Sequence, residues 1–231
     1  MAIRARRLIH LLFFGMLVSS GVCFTAAAGA SDSRNALWEI VSDCLDPAAS
    51  DYCIRCRWPL AGSPCSSNHT CWDTTEIWAE TPVFVAIRDR KMCGCPQGFV
   101  HGLVIPRSRI AGVEDPQRPA GIWNFAWTVA CQHIDNESVI ALVVNPAGRR
   151  SQDQLHVHVV RLRGDARSRL DQLTVSHVQQ LDEVWNAAQK CAVDADIQDY
   201  GVLVVRDLEK GFMVRVEKES PEEIYTERSC R

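Results

Sequence analysis

The stretch QLHVHVVRLRG, residues 154–164, places two histidines two positions apart among valines and leucines. Side chains alternate across a strand, so Gln154, His156 and His158 share one face while Leu155, Val157 and Val159 share the other. One face is apolar and the other carries groups that can bind or react. Three chemistries are open to such a pair. The imidazoles can fill a polar sheet face without further duty. They can ligate a metal ion, with His101 or an acid as third ligand. Or one of them can be a nucleophile. A neutral ring nitrogen attacks phosphorus and divides a hard displacement into two easier ones, provided the other nitrogen donates to a fixed acceptor that sets the tautomer.

Two other stretches carry polar groups of the same kind. HGLVIPRSRI, residues 101–110, opens on His101, and LVVNPAGRRSQ, residues 142–152, contains Asn145 and a small, basic loop. From Gly148 to Gln152 the backbone N–H groups and the side chains of Arg149, Arg150, Ser151 and Gln152 could cradle phosphate. Each piece also has a plainer reading: His101 as a satisfied core histidine, Asn145-Pro146 as a turn initiator, the arginine pair as solvated charge. Arg161 and Arg163 fall on the parity of the apolar face, so only a twist, a bulge or a strand end would turn them toward the histidines. Otherwise Arg163, Asp165 and Arg167 form surface ion pairs worth about 0–1 kcal/mol.

In this order, an H-x-LVIP-type strand, an Asn-x-x-Gly loop and a strand of alternating histidines resemble the histidine triad superfamily. The closer resemblance is to its CDP-diacylglycerol pyrophosphatase branch. It is carried by LVIPRSRIAGVEDP, WNFAW, the spacing from Asn145 through Gly148 and Gln152 to the histidines, RGDAR and YGVLVVRD, over roughly residues 82–217. The resemblance implies that His156 takes the nucleotidyl group and that His158 is the third triad member, contacting the phosphate or leaving group. It also places His101, Asn145 and Arg163 on the substrate, beside the Arg150, Ser151 and Gln152 of the phosphate-cradling loop. The substrate implied is CDP-diacylglycerol at a membrane surface, split to CMP and phosphatidate with no cofactor and no metal, the electrostatics coming from protein donors.

This chain departs from the family at the first triad position, where Gln154 replaces the usual histidine. Glutamine donates and accepts but cannot titrate near neutrality, so it can orient a neighbour in the catalytic group and not move a proton. Two other functions stay open: an exported hydrolase of soluble nucleotides or dinucleotides, and a disulfide-rich binding module silenced by Gln154.

The elements that must position these groups are an α+β set, implying a mainly antiparallel sheet flanked by helices, with a cysteine-rich N-terminal cap over residues 31–80. PVFVAIRD (82–89) and FVHGLVIP (99–106) are β-branched runs around a Gly and Pro turn. GIWNFAWTVACQHI is apolar at helical spacing, with Trp123 and Trp127 suited to core packing, and SVIALVVN (138–145) is a central strand. A second helix is predicted over Asp171 to Ala192 from Leu173, Val175, Val178, Leu181, Val184 and Ala188, and YGVLVVRD and GFMVRVEK close the chain as a hairpin.

The formal charge of -3, from 25 basic and 28 acidic residues, offers no global positive field and excludes nucleic acid as the expected partner. Residues 1–30 hold Arg4, Arg6 and Arg7 ahead of an apolar run and a small-residue AGA. That order reads as a signal peptide or membrane anchor ahead of a single catalytic domain, 31–231, sent outward. An inner-membrane anchor with a periplasmic domain is expected, a cleaved signal and a soluble periplasmic protein being the alternative. The cysteines agree with export. Beyond Cys23 they are even in number and concentrated between Cys44 and Cys95, which predicts disulfides. A structural zinc on Cys53, Cys56, Cys93 and Cys95 is the alternative.

Overall fold

The β-branched runs pair as expected, and they do so within one larger sheet. The computed structural model describes residues 34–57, 59, 70–207, 209–227 and 229–230; the predicted leader lies outside them. Among these residues eight strands form one antiparallel sheet in the order β1-β2-β3-β5-β4-β7-β8-β6. They are β1 (Ile77–Glu80), β2 (Phe84–Arg88), β3 (His101–Pro106), β4 (Ile140–Val144), β5 (Val157–Arg161), β6 (Ser176–Val178), β7 (Gly201–Asp207) and β8 (Gly211–Glu217). With helices packed on it, the architecture is α+β. Strand β1 belongs to a segment expected to be wholly cap. Among the described residues no helix is long and apolar enough to cross a membrane.

Strand alternation gives the sheet two different faces. One is covered by α2 (Ile122–His133) and α4 (Val184–Asp194), which bury Val104, Leu142, Val157, Val159, Val204 and Val214. Trp123 is fully buried there and packs on Trp185 at 4.8 Å between ring centroids, in keeping with the core reading of the helix tryptophans. On the opposite face, α1 (Ala36–Glu39) and the wider turn through Cys44 lay Leu37, Val41 and Leu45 over Ile77, Val85, Ile87, Leu103 and Ile105. Farther along this face, Leu170 of α3 (Ala166–Leu170) and Tyr225 of α5 (Pro221–Tyr225) pack on Val143, Val160 and Leu203. The histidines lie between these two apolar patches.

The cap is held by disulfides and by buried arginines. Cys44 pairs with Cys56, Cys71 with Cys93, and Cys95 with Cys230 near the chain end; Cys53 is disulfide-bonded too. All four cysteines of the zinc alternative are therefore oxidised, and that alternative is overturned, since a disulfide sulfur has no thiolate charge to offer a metal. Cys131 on α2 and Cys191 on α4 remain thiols, so the even count does not mean complete pairing. Arg88 ties β2 to the cap through Glu76 at 2.9 Å and Thr74 at 2.7 Å. Arg107 does the same beyond β3, donating to the Leu45 carbonyl at 2.6 Å.

The predicted helix over Asp171 to Ala192 is shorter than expected. Residues 176–178 form β6, paired with β8, and α4 begins at Val184. The stripe that suggested one helix combined two elements: Thr174, Val175 and Val178 are β-branched and suit an edge strand, while the Gln180 and Glu183 side chains cap the turn that starts the helix. Leu173, the first member of the stripe, is exposed and not part of the core. Gly211 starts β8 at φ 91°, where a Cβ would lie 2.4 Å from the Val178 carbonyl oxygen, so the hairpin entry and the β6 pairing both require glycine.

Candidate active site

Strand β5 lies between β3 and β4, and His158 is paired with Leu103 on one side and Val143 on the other. Val157 and Val159 face the helices while His158 and Val160 face the cap side, as the alternation requires. The strand begins at Val157; Gln154 to His156 form the segment leading into it. His101, first residue of β3, brings its ring edge-on to His158 at 5.3 Å between centroids, and His156 lies edge-on to His158 at 4.7 Å. Three imidazoles, from β3, from β5 and from the segment leading into β5, thus form one cluster, all largely buried.

The three rings have different protonation. His156 Nδ1 lies 2.8 Å from the Gln154 carbonyl oxygen. A carbonyl only accepts, so Nδ1 carries the proton and Nε2 keeps its lone pair. Burial pushes the pKa of His156 below its ordinary value, the Gln154 carbonyl offsetting this only in part. His158 is driven further, to about 3, chiefly by burial, with the neighbouring His156, His101 and Lys91 opposing its charge and Glu222 favouring it.

His101 goes the other way. Burial opposes its charge, but Asp89 Oδ2 lies 3.0 Å from Nδ1 and Glu222 Oε1 lies 3.0 Å from Nε2, and together they raise its pKa. Burial also opposes charge on Asp89, yet the contact with His101 lowers its carboxyl to about 2. Glu222 is likewise held far below the carboxylate range: burial acts against it, and His158, His101 and Lys91 overcome that.

Asp89, His101 and His158 bring three ligand-type atoms within 4.8 Å, a spacing that could suit a divalent ion. The donor set fits poorly, because both nitrogens of His101 face carboxylates. An imidazolium has no lone pair to give a metal.

Two cavities meet at the histidines. One, of about 250 Å³, runs under the cap between Leu37, Ile40, Ile87 and Leu103 and reaches both His156 and His158. The other, of about 520 Å³, is polar and opens past Lys91, Asn145, Ser151 and Glu222 to the same two rings. Asn145 continues from β4 into this site, donating from Nδ2 to Glu222 Oε2 at 2.8 Å and accepting at Oδ1 from the Ser220 hydroxyl at 2.7 Å. Ser151 lines both cavities. Gln152 lines the first, where its Oε1 accepts from the Leu37 N–H at 3.1 Å and so docks the cap. Arg150 borders the polar cavity with its guanidinium held by Glu114.

Three expectations about this neighbourhood change. Arg163 does not reach the histidines: β5 ends at Arg161, and Arg163 turns into an exposed pair with Asp165 at 2.6 Å and donates to the Ile224 carbonyl at 2.8 Å. No bulge reverses the parity that pointed it away. The phosphate loop also has less to offer than its composition suggests, because the Gly148 N–H donates to the Asp199 carboxylate at 2.9 Å and the Arg149 N–H to the Pro146 carbonyl at 3.0 Å.

Gln154 serves His156 through its backbone alone. Its side-chain amide donates to the carbonyls of Pro106 and Ser108 at 3.0 and 2.8 Å and accepts from the Ile110 N–H at 3.4 Å. Gln154→Ala is expected to lower stability by about 1–3 kcal/mol, the cost of leaving buried backbone groups unpaired, read as a shift in the urea midpoint. No shift would mean that the amide does not hold this loop.

Sequence reasoning missed Asp89, Lys91 and Glu222. Asp89 and Lys91 follow β2 directly, and an Asp-x-Lys after a strand end beside a histidine strand was a usable signal. Glu222 gave none, being one of two adjacent glutamates at the start of a five-residue helix.

The family model described as CDP-diacylglycerol pyrophosphatase matches residues 88–206. That segment holds Asp89, Lys91, His101, Asn145, His156 and His158 but not Glu222. The CDP-diacylglycerol pyrophosphatase of Mycobacterium bovis (strain BCG / Pasteur 1173P2) is 39% identical over 67 residues, which cover 25% of this chain and 26% of that protein. A probable CDP-diacylglycerol pyrophosphatase of Mycobacterium leprae (strain TN) is 29% identical over 138 residues, 55% of this chain and 42% of its own length. The chain thus spans less than half the length of these curated relatives. With the match extending over half of its residues, from the end of β2 through the histidine strand into β7, the chain belongs to the CDP-diacylglycerol pyrophosphatase family.

Proposed function

We propose that the protein hydrolyses the pyrophosphate bond of CDP-diacylglycerol to CMP and phosphatidate through a nucleotidyl-histidine intermediate on His156, within a sheet of the histidine triad type. The observation that carries this is the hydrogen bond from His156 Nδ1 to the Gln154 carbonyl, which leaves an uncharged Nε2 where the two cavities meet. In the first step Nε2 bonds to the cytidylyl phosphorus, and the bond to the bridging oxygen breaks with its electron pair leaving on phosphatidate. Phosphatidate is a weakly basic leaving group, so a titrating side chain at position 154 is dispensable. In the second step water attacks the phosphorus, the N–P bond breaks and the pair returns to Nε2. The water proton passes to His158, which is neutral at rest and takes up charge in the intermediate, where the anionic cytidylyl phosphate and Glu222 lie beside it.

Lys91, which lines both cavities, is placed to meet the phosphates, while the charge of His101 is taken up by Asp89 and Glu222. The site lies in a chain whose disulfides suit an oxidising compartment. Together with the basic and apolar leader, this supports an anchored enzyme acting on lipid headgroups from the outer side of the inner membrane.

The test is rapid mixing with CDP-diacylglycerol labelled in the cytidylyl phosphate, followed by quenching into base, where phosphohistidine survives. Label is expected on His156 during turnover, with CMP and phosphatidate released and chelators without effect. Faster hydrolysis of soluble dinucleotides than of the lipid would assign the site to a soluble substrate. Absence of label with every substrate, or loss of activity on chelation, would remove the mechanism.

A further inference from the structure

A buried carboxylate is a costly thing to place in a site for anionic phosphates, since it repels the substrate and must itself be desolvated. Glu222 is such a group. Its side chain is 6% exposed, and it lies in α5, whose N-terminus is capped by the Ser220 hydroxyl accepting from the Glu223 N–H at 3.2 Å. Four segments converge on its two oxygens. Oε1 meets Lys91 Nζ at 2.5 Å and His101 Nε2 at 3.0 Å. Oε2 accepts from Asn145 Nδ2 at 2.8 Å and lies 3.4 Å from His158 Nε2.

The Asn145 amide shows what this arrangement prepares. Ser220 donates to its Oδ1, so its Nδ2 points at Glu222 and, at 3.4 Å, at His158 Nε2. In the resting site His158 Nε2 therefore faces a donor and is itself an acceptor, free of a proton. Once His158 takes a proton there, the same nitrogen becomes a donor, with Glu222 Oε2 beside it. The other charged and titratable groups around His158 are His156, His101 and Lys91, which disfavour a further positive charge, and Asp89, which is engaged by His101 at 3.0 Å. Among the described residues, Glu222 is the carboxylate placed against His158 Nε2.

We infer that Glu222 is a positioning residue for the second half of the reaction, stabilising His158 as it takes the proton of the attacking water. This rests on the two-step reading above. It separates the steps, because departure of phosphatidate needs no proton on His158 whereas release of CMP does. Loss of the Glu222 charge should leave formation of the intermediate nearly intact and slow its breakdown.

Single-turnover quenching of wild type, Glu222→Gln and Glu222→Asp with labelled CDP-diacylglycerol in detergent micelles distinguishes the outcomes. In Glu222→Gln, label should reach His156 within about threefold of the wild-type rate. Its release as CMP should slow by about 30- to 100-fold, less than the roughly 10²- to 10⁴-fold of a whole general base because His158 itself remains, so that nucleotidyl-His156 accumulates. Glu222→Asp, which keeps the charge one methylene farther back, should recover part of the release rate. Should Glu222→Gln not fold, as judged by near-UV circular dichroism, Glu222→Asp carries the test alone: release must slow and formation must not. Equal slowing of both steps would make Glu222 a structural prop and overturn the inference, as would no slowing of either. If wild type forms no nucleotidyl-histidine, the two-step reading itself fails, and with it the inference built on it.

Discussion

His156→Ala is expected to abolish CMP release from CDP-diacylglycerol, by about a thousandfold or more, while the protein stays folded. The size follows from what is lost: without Nε2 there is no covalent route, and only binding and electrostatic stabilisation remain, as in enzymes stripped of their nucleophile. The variant should bind substrate with little change, because Lys91, Asn145 and His101 are untouched, so the loss belongs in kcat and not in KM. His158→Ala should cost less, about 10²- to 10⁴-fold, as expected of a proton acceptor that water can partly replace. The measurement is CMP formation beside near-UV circular dichroism on the same preparations. Activity within tenfold of wild type in His156→Ala would end the covalent mechanism.

The second large effect is on stability. His101 is fully buried, with a carboxylate 3.0 Å from each ring nitrogen. His101→Leu fits the space roughly but leaves Asp89 and Glu222 without the cation between them. Removing one partner of a buried ion pair typically costs about 3–5 kcal/mol, and that is the expected loss near pH 6.

The pH dependence gives the sign. In wild type the Asp89 carboxyl, held at about 2, contributes stability that is present above its ordinary value of 3.8 and is lost as pH falls through the folded value. The raised pKa of His101 contributes stability that is full below 6.5 and fades as pH rises through its folded value. In the variant, burial of Asp89 goes unopposed by the imidazolium, so its pKa rises and protonation relieves the strain. The gap between the two proteins should therefore be widest between about pH 5 and 6 and narrow toward pH 3. Urea midpoints across that range test it. A gap that stays constant would mean that His101 acts through packing and not through charge.

What could be read along the chain and what could not differ for a physical reason. Period-two alternation is a local property, so the histidine strand and the shared face of His156 and His158 were legible, as were the paired runs at 84–88 and 101–106 and the α2 helix. The parity argument was sound for Arg163 as well. Alternation pointed it away from the histidines, and the structure leaves it beside Asp165.

Direction and partnership are not local. Nothing in QLHVH says that the Gln154 amide turns to the 106–110 loop while its carbonyl sets the His156 tautomer, because that depends on where β3 ends. The joined stripe over 171–192 failed likewise, since only pairing with β8 decides that 176–178 is an edge strand. Glu222 stands 77 residues along the chain from the Asn145 it bonds, in a tail brought to the sheet by Leu162 pairing with Thr226 and by the Cys95–Cys230 disulfide. A carboxylate takes on meaning from the charges around it, and those charges come together only when the chain has folded.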